Sequence, residues 1–368
     1  MSLASDVDTL TQWARMESPT RDAARVNAMG ELMLAALDSD AVAVERIPGR
    51  DGLGDMLVLR AGRGAGPPGL VIGHLDTVHP VGTAVGGLPV RQAGERLYGP
   101  GVYDMKGGLL IGLQALLDVA RAGTATRPLI FALAPDEEIG SPTSRAVTEH
   151  LAKGAAFALV LEPAREDGSC VTARKAVGRF EIDVAGRASH AGVRHDAGRS
   201  AIREAAHQIL AVEALTDYAE GVTASVGLVS GGTGVNVVPD HCRFSVDFRA
   251  PTALAACRCA ETIQGLRSVD PDVSVSVSGG VNRPAYERSP ASAALFAAAR
   301  EIAQAVGFPL AEAPMTGGGS DGNFTAALGV ATLDGLGIEG AGAHTLEEYG
   351  LPASIAPRRA LIRRLLER

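Results

Sequence analysis

Apolar positions follow two different rhythms along this chain. Through the first half they form short, nearly unbroken runs: AVAVERI (41–47), DMLVLRAG (55–62), GLVIGHLD (69–76), RPLIFALAP (127–135) and AFALVLEP (156–163). Runs of this length bounded by turn residues predict strands buried on both faces. Between them MKGGLLIGLQALLDVARAG (105–123) and SRAVTEHLAKG (144–154) carry apolar residues at helical spacing. Strands alternating with helices predict an α/β domain around a mostly parallel central sheet.

Near Lys175 the rhythm changes. GRFEIDVAG (178–186), TASVGLVSG (223–231), HCRFSVDFRA (241–250) and VSVSVSG (273–279) alternate apolar and polar residues, the period of strands covered on one face only. Amphipathic helices at 198–215 and 254–269 are interleaved with them. The order βαββαβ predicts a ferredoxin-like domain inserted into the larger one. After Arg283 the first style returns and ends in a helix, PRRALIRRLLER. The expected division is residues 1–175 and 284–368 for the larger domain and 176–283 for the insertion.

Composition narrows the function classes. A chain of 368 residues is long for one core, and 46% hydrophobic with 21% charged residues is the balance of a compact globular protein. Aromatics at 4% and 45 glycines predict a core of Ala, Val and Leu with many tight turns. A formal net charge of −8, with no basic stripe, argues against nucleic acid or an acidic membrane as partner. No leader pattern opens the chain and no apolar run is long enough to span a bilayer, so a cytoplasmic location is expected. Cys170, Cys242, Cys257 and Cys259 fit neither a disulfide framework nor a paired CxxC site, and buried thiols are expected.

The informative polar residues stand where apolar strands end. FALAPDEEIGS runs a strand into Asp136, Glu137 and Glu138, which are either solvated or gathered around a cation. In GHLDTV, His74 and Asp76 lie two apart and project from one face at a strand's carboxyl end, where open α/β sheets place ligands. Such a pair is either a structural hydrogen bond or a metal-ligating imidazole held by its carboxylate. Asp104, in GPGVYDMKGG, suits a helix N-cap or a ligand. Glu162 ends another strand, and His344 lies in a late loop. Two imidazoles with at least three carboxylates make the donor set of a two-zinc site, in which one ligand bridges the ions. TGGGSDG lacks the Lys-Ser/Thr of a phosphate-binding loop, and its backbone at Gly318 and Gly319 is read instead as lining a carboxylate pocket.

Nine motifs in order, GHLDTV, GPGVYDMKGG, PDEEIGS, LEP, RASHAG, GVNVVPDHCRFSVDFR, RPAYE, TGGGSDGNF and GAHTLEEY, resemble the dinuclear zinc amidohydrolase family. That family contains glutamate carboxypeptidase, acetylornithine deacetylase, succinyl-diaminopimelate desuccinylase and aminoacylase, and the likeness covers almost the whole chain. It implies a zinc-peptidase-like catalytic domain with a lid or dimerisation domain inserted, and a homodimer. It further implies that Asp104 bridges two zinc ions, for which cobalt or manganese substitute. Glu138 and His344 complete one ion, His74 and Glu162 the other, and Asp76 orients His74. The peptide bond after Asp104 is cis in the family. Glu137 is implied as the general base, taking a proton from water and passing it to the leaving amine.

In the insertion the resemblance implies that His190 reaches the partner subunit's site and binds the developing oxyanion. Asn236 and Arg249 match substrate contacts, and Arg283 matches the arginine that receives a free α-carboxylate. The leading expectation is a glutamate carboxypeptidase-like hydrolase acting on a small peptide. The alternatives are an N-acyl amino acid deacylase of the acetylornithine or desuccinylase type and a non-catalytic binding protein on the same scaffold.

Overall fold

The five apolar runs of the first half meet in one six-stranded sheet. Its order is β1 (Ala43–Ile47), β2 (Met56–Ala61), β6 (Leu129–Ala134), β3 (Gly69–His74), β7 (Phe157–Val160) and β14 (Thr332–Leu333). From β6 to β14 the neighbours are parallel, while β1–β2 and β2–β6 are antiparallel. The edge strand β1 is the one exposed along most of its length, which is why its apolar pattern is the least regular.

Alternate residues of the inner strands serve opposite faces. Leu57, Leu59, Val71, Phe131 and Leu133 join one core cluster, with the helices Gly107–Ala122 and Ile355–Leu366 packed over it. Met56, Val58, Leu70, Ile72, Ile130 and Ala132 join another, against Leu151 of the helix Arg145–Ala152. Burial on both faces is the physical reason the runs are unbroken. Fully burying each Leu, Ile or Phe contributes about 1.5–3 kcal/mol. The helix Gly107–Ala122 lies directly on the end of β7: a Cβ at Gly108 would stand 2.0 Å from the Leu161 carbonyl oxygen. No residue but glycine fits there.

The computed structural model describes residues 3–37 and 40–368, in two units. The first comprises the chain up to residue 173 with 288–316 and 320–368; the second comprises 174–287 with Gly317–Gly319. The first unit also holds a small sheet of order β15 (Gly340–Ala341), β16 (Tyr349–Gly350), β5 (Arg96–Tyr98) and β4 (Arg91–Ala93). The loop between β15 and β16 carries His344.

The second unit is built on an antiparallel sheet, β10 (Thr223–Gly231), β12 (His241–Ala250), β8 (Ala176–Ala185) and β13 (Ser274–Arg283). The helices Ala201–Glu213 and Ala253–Gln264 cover its apolar face, with Phe180, Ile182, Phe244, Val246 and Phe248 in the core between them. This is the βαββαβ sandwich. A two-stranded ribbon, β9 (Ser189–His190) with β11 (Val237–Val238), is added to it, so His190 sits in a short strand.

Among the described residues no helix is long and apolar enough to cross a membrane. One thiol departs from expectation. Cys170, Cys242 and Cys259 are buried but Cys257 is exposed, because two residues along a helix is about half a turn and presents the opposite face.

Candidate metal centre

The donors of the candidate centre stand at strand ends and in the turns and loops of the first unit. His74 is the last residue of β3, and Asp76 lies two residues beyond it. The Asp76 carboxylate is fully buried and accepts the Thr20 hydroxyl at 2.7 Å and the backbone N–H groups of Glu137 and Glu138 at 3.2 Å each. His74 Nδ1 lies 2.9 Å from the Asp76 carbonyl oxygen and 3.4 Å from its carboxylate. The closer contact of the ring is therefore with the Asp76 backbone. With Nδ1 carrying the proton, Nε2 turns a lone pair inward.

Asp104 does not cap the following helix. It lies in the tight turn Val102–Lys106 with non-helical φ −114° and ψ 96°, and the Asp104–Met105 peptide is cis. Its two carboxylate oxygens face different histidines: Oδ1 is 3.3 Å from His74 Nε2 and Oδ2 is 3.3 Å from His344 Nε2. Glu162 Oε1 lies 3.7 Å from His74 Nε2, and Glu138 Oε2 lies 3.2 Å from His344 Nε2. His344 reaches inward from a left-handed backbone, φ 65°. Ligand-type atoms of His74, Asp104 and Glu138 lie within 4.8 Å of one another, as do those of His74, Glu137 and Glu162.

The acidic triplet divides in the short 3₁₀ turn Glu137–Ile139. Asp136 is buried and turned away, accepting the backbone N–H and the hydroxyl of Thr143, both at 2.7 Å, and the Ser144 hydroxyl. Glu138 faces Asp104 and His344, while Glu137 faces His74 and Glu162.

The electrostatics fit divalent cations. Burial, and then Asp104, push the carboxyls of Glu138 and Glu162 up, that of Glu162 well above its ordinary value. Asp104 and Glu138 push the His344 imidazole up to about 11. Burial opposes charge on His74, yet Asp104 and Asp76 raise it well above its usual range. Burial also disfavours the Asp104 anion, but His344 and His74 hold its carboxyl far below the usual range. These groups compete for protons because too much negative charge is gathered out of water. Glu138 Oε1 is buried with no hydrogen-bond partner. Neutral imidazole nitrogens and ionised carboxylates around a divalent cation satisfy every one of these groups, and the His/Asp/Glu set suits zinc or a similar ion.

The remaining candidates lie in the second unit. His190 is exposed, and its Nδ1 accepts the backbone N–H groups of Gly192 and Val193 at 3.2 Å, which leaves Nε2–H as a donor. The Asn236 carbonyl accepts the Ala191 N–H at 2.9 Å, beside His190. Arg249 pairs with Asp247 at 2.6 Å and donates to the Gly317 carbonyl at 3.0 Å. Arg283 is 3% exposed, and a Cβ on Gly319 would come within 3.0 Å of its Cγ. Arg174 donates to the Gly318 carbonyl at 3.2 Å. Arg174, His79 and Glu348 escape sequence reasoning. Only the place of Glu348 in the motif that holds His344 hinted at the last.

The model of peptidase family M20/M25/M40 matches residues 70–368. Carboxypeptidase G2 of Pseudomonas sp. (strain RS-16) is 28% identical over 361 residues, covering 96% of this chain and 86% of that protein. Acetylornithine deacetylase of Myxococcus xanthus is 31% identical over 225 residues, 58% of each chain. In fold, the chain is similar to the M20 family metallo-carboxypeptidase Sso-CP2 from Sulfolobus solfataricus, with a TM-score of 0.77 at 15% identity over 100% of this chain and 99% of that one.

Proposed function

Because the chain belongs to peptidase family M20/M25/M40, a family of hydrolases, we propose that it is a two-zinc amidohydrolase of the carboxypeptidase kind, cleaving an amide whose amine side carries a free α-carboxylate. The observation that carries this reading is Asp104, whose two oxygens lie equally far from His74 and His344, with Glu162 and Glu138 flanking the two sides. His74, Glu162 and Asp104 would hold one zinc ion, and His344, Glu138 and Asp104 the other. Zinc ions held here supply a lowered pKa for water and polarisation of an amide carbonyl.

The chain's own groups do the rest. Glu137, near the centre and assigned to neither ion, would take the proton of the attacking water and pass it to the departing nitrogen. His190, a donor at Nε2, would bind the developing oxyanion in the partner subunit of a homodimer. Arg283, with Gly318 and Gly319 beside it, would receive the substrate's α-carboxylate, and Asn236 and Arg249 would contact the substrate. Likeness to acetylornithine deacetylase supports a second reading, an N-acyl amino acid deacylase using the same groups.

The test is hydrolysis by the zinc-loaded protein of C-terminal glutamate peptides, folyl-glutamate and acetyl- or succinyl-amino acids, with Glu137→Ala and Glu138→Ala alongside. Glu137→Ala should lose about 10²–10⁴-fold in rate while retaining about two equivalents of zinc, and Glu138→Ala should weaken one ion. Metal loss in Glu137→Ala but not in Glu138→Ala would exchange their roles. Turnover confined to the acyl amino acids would favour the deacylase.

A further inference from the structure

Behind the Asp104 turn lies a carboxylate that takes no part in the ligand sets. Glu348, four residues past His344, is 1% exposed. Its Oε1 accepts the backbone N–H groups of Tyr103 at 2.9 Å and Asp104 at 3.0 Å. Its Oε2 accepts the Gly101 N–H at 3.1 Å and lies 2.7 Å from His79 Nε2. One side chain thus takes four N–H groups, two of them from the turn that presents Asp104 and one from Gly101 just before it.

His79 is 5% exposed and leads into a loop fixed in the same manner, since Glu17 accepts the N–H groups of Gly82 and Ala84 at 2.8 Å each. The buried ammonium of Lys106, bonded to the carbonyls of Met16 and Pro100, interacts electrostatically with both Glu348 and Glu17. That countercharge makes two buried carboxylates tolerable here.

We propose that Glu348, braced by His79, is a positioning residue for the metal centre. It ties the loop bearing His344 to the turn bearing Asp104 and so sets the aim of the two Asp104 oxygens. A carboxylate is required because every group facing it is a donor. Glutamine at this position turns an NH₂ toward N–H groups on one side, and aspartate keeps the charge but falls a methylene short.

The inference rests on the two-metal reading, and its test separates the two. The probe is cobalt(II), titrated into the metal-stripped parent, Glu348→Gln, Glu348→Asp, His79→Gln and the exposed neighbour Glu347→Gln, with affinity and visible absorption recorded beside melting temperature. Glu348→Gln should bind cobalt about 10–100-fold more weakly and show an altered spectrum. His79→Gln should show a smaller change in the same direction, and Glu347→Gln should match the parent. A parent that takes up no cobalt, or only one ion, overturns the two-metal reading itself. A parent that binds two, with Glu348→Gln and His79→Gln equal to it in affinity and spectrum, overturns the positioning role, even where the melting temperature falls. If Glu348→Gln does not fold, the cobalt affinity and spectrum of His79→Gln decide.

Discussion

A single buried guanidinium carries the substrate preference proposed above. Arg283 ends β13 at 3% exposure, and glycine at 319 leaves room for its side chain. Removing the buried charge partner of a carboxylate costs about 2–5 kcal/mol. Arg283→Ala should therefore depress kcat/KM by that amount on substrates with a free α-carboxylate and leave amidated analogues at the parent's level. Equal losses on both would remove Arg283 from the carboxylate pocket. At this scale the donor cluster is legible in the sequence, because imidazoles and carboxylates at the ends of apolar runs are dear to keep there without a cation. What stays hidden is direction. Nothing in the letters DEE tells that the 3₁₀ turn sends Asp136 to Thr143 and Ser144 and its neighbours inward. Glu348 is hidden for a different reason: its partners are backbone amides, which every residue offers alike.

Among the elements, the helix Ala201–Glu213 shows how a carboxylate fastens a loop. Glu204 is buried and accepts the N–H groups of Val269 at 2.8 Å and Asp270 at 3.1 Å, and an amide N–H of Gln208 at 2.7 Å. Burial alone would raise its carboxyl, but these hydrogen bonds bring it below its ordinary value. A carboxyl lowered in the folded state stabilises the fold above its unfolded pKa, and that contribution is lost as pH falls through the folded value. Glu204→Gln should cost about 1–3 kcal/mol at pH 7, and the gap from the parent should narrow in acid. Denaturant unfolding at pH 7 and near pH 3 measures it, and a gap that does not change with pH would deny the linkage. The period-two strands and the order of this unit are legible because one covered face imposes alternation. Its short ribbon β9–β11 is not, since two-residue strands carry no period.

At the scale of the whole molecule, the groups proposed for catalysis are divided between the two units, with Glu137 in the first and His190 in the second. If His190 serves the partner's centre, the Glu137→Ala and His190→Ala proteins, each inactive alone, should regain activity when mixed and allowed to exchange subunits. One of the two sites of each hybrid dimer then has both groups intact. Inactivity after exchange has been demonstrated by mass would rule out action in trans. The change of rhythm near Lys175 makes the insertion legible. The return of Gly317–Gly319 to the second unit is not, because three glycines have no side chains with which to declare an allegiance.

The first unit is discontinuous, and this bears on the order in which a ribosome makes it. Residues 174–287 are all synthesised before β14 and before His344, yet they form a unit with its own core. The inserted unit has the residues of its sheet and both its helices while the six-stranded sheet still lacks an edge and the centre still lacks a histidine. His74, Asp104, Glu138 and Glu162 have by then left the peptidyl-transferase centre without their fifth companion. With the ligand sets proposed above, a nascent chain stalled short of His344 should hold metal more weakly than the finished protein.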